Sequence, residues 1–334
     1  MNTEHLGPKI VVIGGGTGSF TLLSGLKHYA RDITALVNMA DDGGSTGQLR
    51  DELGALPPGD VRQCLVALSN TPKVRELFNY RFEEGSGLKG HAFGNLFLTA
   101  LEKMTGSFGE AVELAGEVLN ITGRVEPVTL SDVKLCIKTS DGTITRGEFN
   151  IANLTFNGQR PEIWLEPEPA INPAAAKAIA QADVIVVAPG NLYGSLAPAL
   201  VVPGIGEALA AAKAKKVYIC NLVTKPGQTD GFSVLDYADE LERFAGTQFL
   251  DYVVYNAAKP SDDLLGKYAK EGEFAVEFDE LGAKERHYKT IAARLISDEI
   301  WQGGQAHDPI AHARTLIRHD SDRAARQLMK IFFS

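Results

Sequence analysis

Apolar residues recur along the chain in two alternating rhythms, short continuous runs and longer stretches of helical period. The run Lys9–Gly14 is β-branched and unbroken, which predicts a strand buried on both faces. Ser19–Ala30 follows as a helix, with Phe20, Leu22, Leu23, Leu26 and Tyr29 on one stripe. Asp32–Met39 reads as a second strand. After the break Pro57-Pro58-Gly59, Asp60 has the place of an N-cap for a helix over Val61–Leu68. Helical periodicity returns over Asn95–Lys103 and Phe108–Asn120. Between about 123 and 168 the rhythm changes. VKLCIKTSDGTITRGEF alternates with period two around Asp141-Gly142, a hairpin pattern, and EIWLEPEP adds a short strand. Alternation then resumes with Ala174–Ala182 (helix), Val184–Ala188 (strand), a proline-interrupted helical region, Lys216–Leu222 (strand), Val234–Ala245 (helix) and Tyr252–Asn256 (strand).

Strand–helix alternation implies parallel pairing with right-handed crossovers. The expected fold is α/β, a mostly parallel sheet with an antiparallel β insertion at about 123–168, in a single α/β domain over residues 1–334. Ligands of such sheets sit beyond the carboxyl ends of the strands. Five strands of the wound part end in polar or glycine-rich loops, which would converge on one edge. They carry Gly14, Gly15, Gly16, Thr17 and Gly18; Asp41, Asp42, Gly43, Gly44 and Ser45; Pro189, Gly190, Asn191 and Ser195; Asn221, Thr229 and Asp230; and Asn256.

The first loop would present bare backbone N–H groups and a helix start to a phosphate. It is neither a complete dinucleotide fingerprint, since Ser19 stands where the third glycine would be, nor a P-loop, since no Gly-Lys-Ser/Thr follows. Asp41 and Asp42 could meet a ribose hydroxyl, a divalent metal such as Mg2+, or a proton in transfer. Neighbours on an extended chain point to opposite sides, so one of the pair is expected to face the ligand. Arg50 and Arg62 are candidates for phosphate contacts. His91, between glycines and just before a helix with Asn95, reads equally as a site residue or a helix cap. His307, His312 and His319 are spaced by five and seven residues, which does not set three ligands on one face, and are expected in solvent.

Composition narrows the class. A net charge of −9, with 42 acidic against 33 basic residues, disfavours a broad nucleic-acid or anionic-membrane surface. Cys64, Cys136 and Cys220 are far apart and form no CxxC pair, so buried packing is expected rather than a disulfide or zinc site. The start of the chain lacks a signal pattern, and the apolar stretch 196–212 is broken by Pro198, Pro203, Gly204, Gly206 and Glu207. A cytoplasmic protein with no membrane insertion is expected.

GGGTG, ADDGGSTGQLRDELGALPPGD, NYRF, GHAFGN, PGNLYGS, CNLVTKPGQTDGF and the late RHD, in this order, resemble the gluconeogenesis-factor family. That family shares a superfamily with 2-phospho-L-lactate transferase, an enzyme of deazaflavin coenzyme biosynthesis. The resemblance implies a Rossmann-like three-layer fold and a nucleotide-sugar ligand such as UDP-N-acetylglucosamine (UDP-GlcNAc). It implies a regulatory role linking carbon metabolism to cell-wall synthesis and cell shape, with no established reaction, with protein partners in cell-wall synthesis, and with room for a homo-oligomer. For the transferase relatives it implies magnesium, a nucleotide-diphosphate donor and phosphate-ester transfer to a deazaflavin alcohol. By similarity, Tyr268 and Arg318 match the family's nucleotide-sugar contacts. The chain departs from the family pattern at Ala188-Pro189-Gly190-Asn191, at Lys225-Pro226-Gly227-Gln228 and at Tyr255, all in presumed ligand loops. An NAD-dependent oxidoreductase is the weaker third reading, for want of the third glycine and of a catalytic pair.

Overall fold

Three apolar runs, β1 (Ile10–Ile13), β2 (Ile33–Val37) and β7 (Val184–Val187), and β8 (Lys215–Ile219), apolar from Val217 on, form the middle of a parallel sheet in the computed structural model. The structure describes residues 7–297 and 318–334. The first three strands are buried at every position, as a central strand covered on both faces must be. With β3 (Arg124–Pro127), β9 (Tyr252–Asn256) and β10 (Lys289–Ala293) they make a seven-stranded sheet of order β10-β9-β8-β7-β1-β2-β3. Every neighbouring pair is parallel.

Strand order sets the functional edge. From β1 the chain winds outward through β2 and β3, then returns to β7 and winds the other way. Such a reversal leaves a crevice beyond the carboxyl ends of the two central strands, here β1 and β7. Helices Gly16–Leu26, Gly59–Leu68 and Ser321–Phe333 pack together in one layer, and helices Ala197–Leu200, Ile205–Ala211 and Val234–Ala245 in another. This is the expected Rossmann-like α/β arrangement.

The expected insertion is narrower than its sequence rhythm. β3, within the span 123–168, joins the large sheet beside β2. The antiparallel part is a three-stranded sheet, order β5-β4-β6, of β4 (Lys134–Lys138), β5 (Ile144–Arg146) and β6 (Glu162–Glu166). The hairpin turn falls at Asp141-Gly142, where Gly142 has φ +87° and Thr139 N–H donates to the Thr143 carbonyl. All three cysteines are buried and free, as their apolar settings predict. Among the described residues no single helix is long and apolar enough to cross a membrane, and the apolar pair Leu192–Leu200 and Ile205–Ala211 is bent by 73°.

Candidate functional site

The glycine loop is itself the first turn of a helix. Helix Gly16–Leu26 starts three residues earlier than the apolar stripe suggests, because small residues let the turn begin at once. Its N-cap, Gly15, has no side chain to cap the exposed amides. Gly16 sits at φ +66°, and a Cβ on Gly18 would overlap the carbonyl oxygen of Pro189. The loops after β1 and β7 therefore touch backbone to backbone, at the crevice. Beneath them the Ser19 hydroxyl is 1% exposed and has no hydrogen-bond partner. Buried hydroxyls are ordinarily paired, so an orphan here marks a place for a bound group or water.

One loop amide is already engaged. Asp60 does not cap its own helix, which runs over Gly59–Leu68 with no side-chain cap. Its carboxylate instead turns to the neighbouring helix of the same layer and accepts from Gly16 N–H at 3.0 Å. Burial, then the charges of Asp41 and Glu148, push the Asp60 carboxyl up to about 7. A half-neutral carboxyl thus stands at the very amide a phosphate would use.

The two neighbouring aspartates diverge, as alternation on an extended chain requires. Asp41 Oδ1 accepts from Gly43 N–H at 3.0 Å, and its other oxygen crowds Gly59, so it points inward. Burial raises its carboxyl above the usual carboxylate value. Asp42 turns outward to the insertion, where Oδ1 accepts from Phe149 N–H at 2.8 Å. It thereby holds the short helix Glu148–Ile151, which brings in Glu148. The Glu148 carboxylate lies 2.5 Å from where a Cβ on Gly194 would be, and burial followed by Asp41 and Asp42 pushes it up to about 7. Neither Glu148 nor the true partner of Asp60 carries a signal in the sequence, since no periodicity links positions that far apart. Among the described residues no three such groups are placed to hold one metal ion.

Several expected ligand residues make their hydrogen bonds to one another. His91 Nδ1 lies 2.9 Å from Ser45 Oγ, and Asn95 Nδ2 donates to the same oxygen at 3.2 Å. Arg62 Nε donates to Asn95 Oδ1 at 2.9 Å and its NH1 to Asn79 Oδ1 at 2.6 Å. His91, Ser45, Asn95 and Arg62 are all buried, and the network ties helix Gly44–Leu53 to helix Phe93–Thr105. Arg50, expected on phosphate, is buried too. It donates to the Asp41 carbonyl at 2.9 Å, to Asp132 at 2.5 Å and to the Val133 carbonyl at 2.7 Å, and so pins the acidic loop to the strand entering the insertion.

On the other side of the crevice the loops are similarly knitted. Asn221 accepts from Gly190 N–H at 3.1 Å and donates to its carbonyl at 2.7 Å. Asn191 accepts from Gly194 N–H at 3.2 Å, and Ser195 N–H bonds back to the Asn191 carbonyl. Thr229, 1% exposed, accepts from Lys225 N–H at 2.7 Å and lies 2.8 Å from the Tyr237 hydroxyl, while Asp230 beside it is exposed. Asn256 accepts from Leu295 N–H at 3.1 Å and donates to the Ala258 carbonyl at 2.7 Å. Asn221, Asn256 and Ile296 are among the residues that line an open cleft of about 310 Å³ at the ends of β8 and β9. Tyr255 lines it and stacks on Phe278, ring centroids 4.0 Å apart.

Tyr268 is only 5% exposed and packs with Ile296 against Leu222, Val223, Ala258 and Leu264, next to this cleft rather than open within it. Arg318 is half-buried, and its carbonyl accepts from Ser297 N–H at 2.9 Å, beside the same segment. His319 is not in solvent as expected. It is half-buried, its Nε2 lies 3.0 Å from the Cys220 carbonyl, and burial lowers its pKa to about 4. His307 and His312 lie outside the described residues.

A parallel sheet of this order, with a glycine loop and a helix start at its switch point, defines a Rossmann-like α/β protein. The chain belongs to the family described as 2-phospho-L-lactate transferase CofD, which matches residues 10–296, and within it to the gluconeogenesis factors. It is 40% identical over 327 residues to the Bacillus subtilis gluconeogenesis factor, covering 97% of this chain and 98% of that protein. A longer relative from Nostoc sp. is 44% identical over 317 residues, which cover 94% of this chain and 69% of that one. A crystal structure of a Bacillus halodurans protein matches with a TM-score of 0.87 at 37% identity, over 97% of this chain and 99% of that chain.

Proposed function

We propose that this protein binds a nucleotide sugar of the UDP-GlcNAc type and acts as a regulator rather than by turnover. The carrying observation is a single edge that offers two complementary places. One is the uncapped helix start over the orphan Ser19 hydroxyl, suited to a diphosphate. The other is the half-apolar cleft at β8 and β9, of a size for a base. They are two to three strand spacings apart, roughly 10–15 Å, a distance that a nucleoside diphosphate can bridge. The proposed role is regulatory, in carbon metabolism, to which the relatives' name lends support, and further in cell-wall synthesis and cell shape, exercised in the cytoplasm through protein partners.

Magnesium is part of the proposal. Mg2+ commonly takes one or two protein carboxylates and completes its shell with water and phosphate oxygens. Asp41 and Asp60 suit that role, because burial raises both carboxyls, the charge of Asp41 raises Asp60 further, and a dication would relieve both. Asp42, spent on Phe149, does not. When bound, the ion would screen the phosphates from these carboxylates.

A second reading, a transferase moving a phosphate ester to a deazaflavin alcohol, is favoured by Asp60 and Glu148. Both titrate near neutrality beside the loop, as proton-handling groups do. The two readings part in one experiment. Calorimetry should show saturable UDP-GlcNAc binding strengthened by Mg2+, and chromatography should show the ligand intact after hours. At a hundred times its dissociation constant the ligand should add about 2.7 kcal/mol of stability. A new phosphodiester, formed when a deazaflavin alcohol and an activated phospholactate are supplied, would replace the regulator reading with the enzyme.

A further inference from the structure

Phe149 is 60% exposed, yet nothing about it is loose. Its N–H is tied to Asp42 at 2.8 Å, and the helix around it is closed by Ile151 N–H to the Gly147 carbonyl at 3.0 Å. Asn150 Nδ2 bonds back to the Arg146 carbonyl at 2.9 Å, and Asn153 Nδ2 to the Phe149 carbonyl at 3.1 Å. The segment that follows is stitched to the loop after β8, through Gln228 Nε2 to the Ile151 carbonyl at 2.9 Å and Phe156 N–H to the Gly227 carbonyl at 2.6 Å. A large apolar ring is therefore held in water at a fixed place. Keeping it there forgoes the stabilisation that burying such a side chain would give.

The place is specific. The ring stands over Gly43, 3.9 Å from where a Cβ at that position would lie. Gly43 has φ −85°, a conformation open to any residue, so its backbone does not require glycine. Glycine there leaves the space beside the ring clear. Along the sheet edge the order is the β8–β9 cleft, then β7 and the β1 phosphate loop, then the β2 loop with Phe149. A ligand whose base fills the cleft and whose diphosphate meets the glycine loop must carry its remaining group toward β2.

We propose that Phe149 is the platform on which the sugar ring of the nucleotide sugar packs, and so a specificity-determining residue of the site. The inference rests on the nucleotide-sugar reading above. The C–H face of a pyranose is apolar and flat enough to lie on an aromatic ring, while its hydroxyls turn to polar neighbours. Glu148, the adjacent residue, is one such neighbour, with its carboxyl against Gly194.

The test compares UDP-GlcNAc with UDP, which lacks the sugar, on the wild type and on Phe149→Ala by calorimetry. The exposed side chain makes little of the core, so the variant should fold. The expected result is at least fivefold weaker UDP-GlcNAc binding, about 1 kcal/mol, with UDP binding unchanged. A Phe149→Trp variant should keep the affinity, and its indole emission should respond to UDP-GlcNAc but not to UDP. Equal losses for both ligands would place the ring against the nucleotide and overturn the proposal. An unchanged UDP-GlcNAc affinity in Phe149→Ala would overturn it too, and leave nucleotide-sugar binding standing. If the wild type binds neither ligand, both readings fall together.

Discussion

The two loops that frame the glycine helix are built on opposite principles. At the ends of β1 and β7 the chemistry is in the backbone: an uncapped helix start, and a glycine pressed against the Pro189 carbonyl. At the end of β2 it is in side chains, and most of these are spent on one another. Ser45, His91, Asn95 and Arg62 form a buried network, and Arg50 clamps the Asp41 carbonyl to Asp132. Backbone amides at a helix start have no partner within the helix, so those that no side chain meets, as Asp60 meets Gly16 N–H, are open to a ligand. Side-chain groups that are buried must find partners, and they find each other. A polar residue in a loop at the ligand edge is therefore weaker evidence of ligand contact than a glycine at the same edge.

The largest effect that separates the two loops is expected at Gly18. Alanine there meets a carbonyl oxygen that belongs to a central strand's loop, so β1 and β7 must part or the helix must shift. Gly18→Ala should lower stability by about 3 kcal/mol, read as a fall in urea midpoint. Gly44→Ala is the comparison in the acidic loop. Gly44 has φ +47° but open space around it, so the change should cost about 1–2 kcal/mol from conformation alone. Equal losses would mean that the β1–β7 contact yields and that the backbone loop is no tighter than the other.

Asp60 is where the two principles meet, and pH exposes it. Burial and neighbouring charge push its carboxyl up to about 7 in the fold, from an ordinary value of 3.8. Below about pH 4 both states hold the proton and there is no effect. Between about 4 and 7 the unfolded chain has released its proton and the native state keeps it, so stability falls as pH rises through this window. Denaturation at pH 5 and pH 8 should show that fall in the wild type, with Glu148 contributing in the same sense. In Asp60→Asn the fall should shrink by roughly 2–4 kcal/mol. An identical slope in the variant would show that the Asp60 carboxyl is solvated and that the Gly16 amide is not guarded.

Much of the fold could be read from the sequence, because its signal is local. β1, β2, β7, β8 and β9 are apolar runs with polar loops after them, and helix Val234–Ala245 carries both an amphipathic stripe and a Ser233–Asp236 capping box. β3 and β10 were hidden for a physical reason. As the edge strands of the sheet they are half-exposed, so Arg124–Pro127 and Lys289–Ala293 lack an unbroken apolar run. At the site, the glycine loop and the divergence of Asp41 and Asp42 followed from backbone geometry. Arg50, Ser45, His91 and Thr229 could not be sorted into ligand-facing and structural residues, since that depends on partners up to 83 residues away, as with Arg50 and Val133. Phe149 and Glu148 were invisible for the same reason, being placed by a hydrogen bond that spans 107 residues.

The smallest expected effect tests that long-range bond. Asp42 uses an acceptor oxygen, rather than its charge, to hold Phe149. Asn keeps an acceptor of the same shape, so Asp42→Asn should change stability by less than about 0.5 kcal/mol and alter UDP-GlcNAc affinity by under about twofold, about 0.4 kcal/mol. Asp42→Ala removes the acceptor and leaves the Phe149 N–H to water. This should cost about 1 kcal/mol and loosen the ring, weakening UDP-GlcNAc but not UDP. The pair of variants distinguishes a positioning oxygen from a ligand-binding charge. A tenfold loss of both ligands in Asp42→Asn would mean that the phosphates or the ion they carry meet Asp42 directly. The acidic loop would then be as open to ligand as the glycine loop, and the contrast between them would fail where it is thinnest.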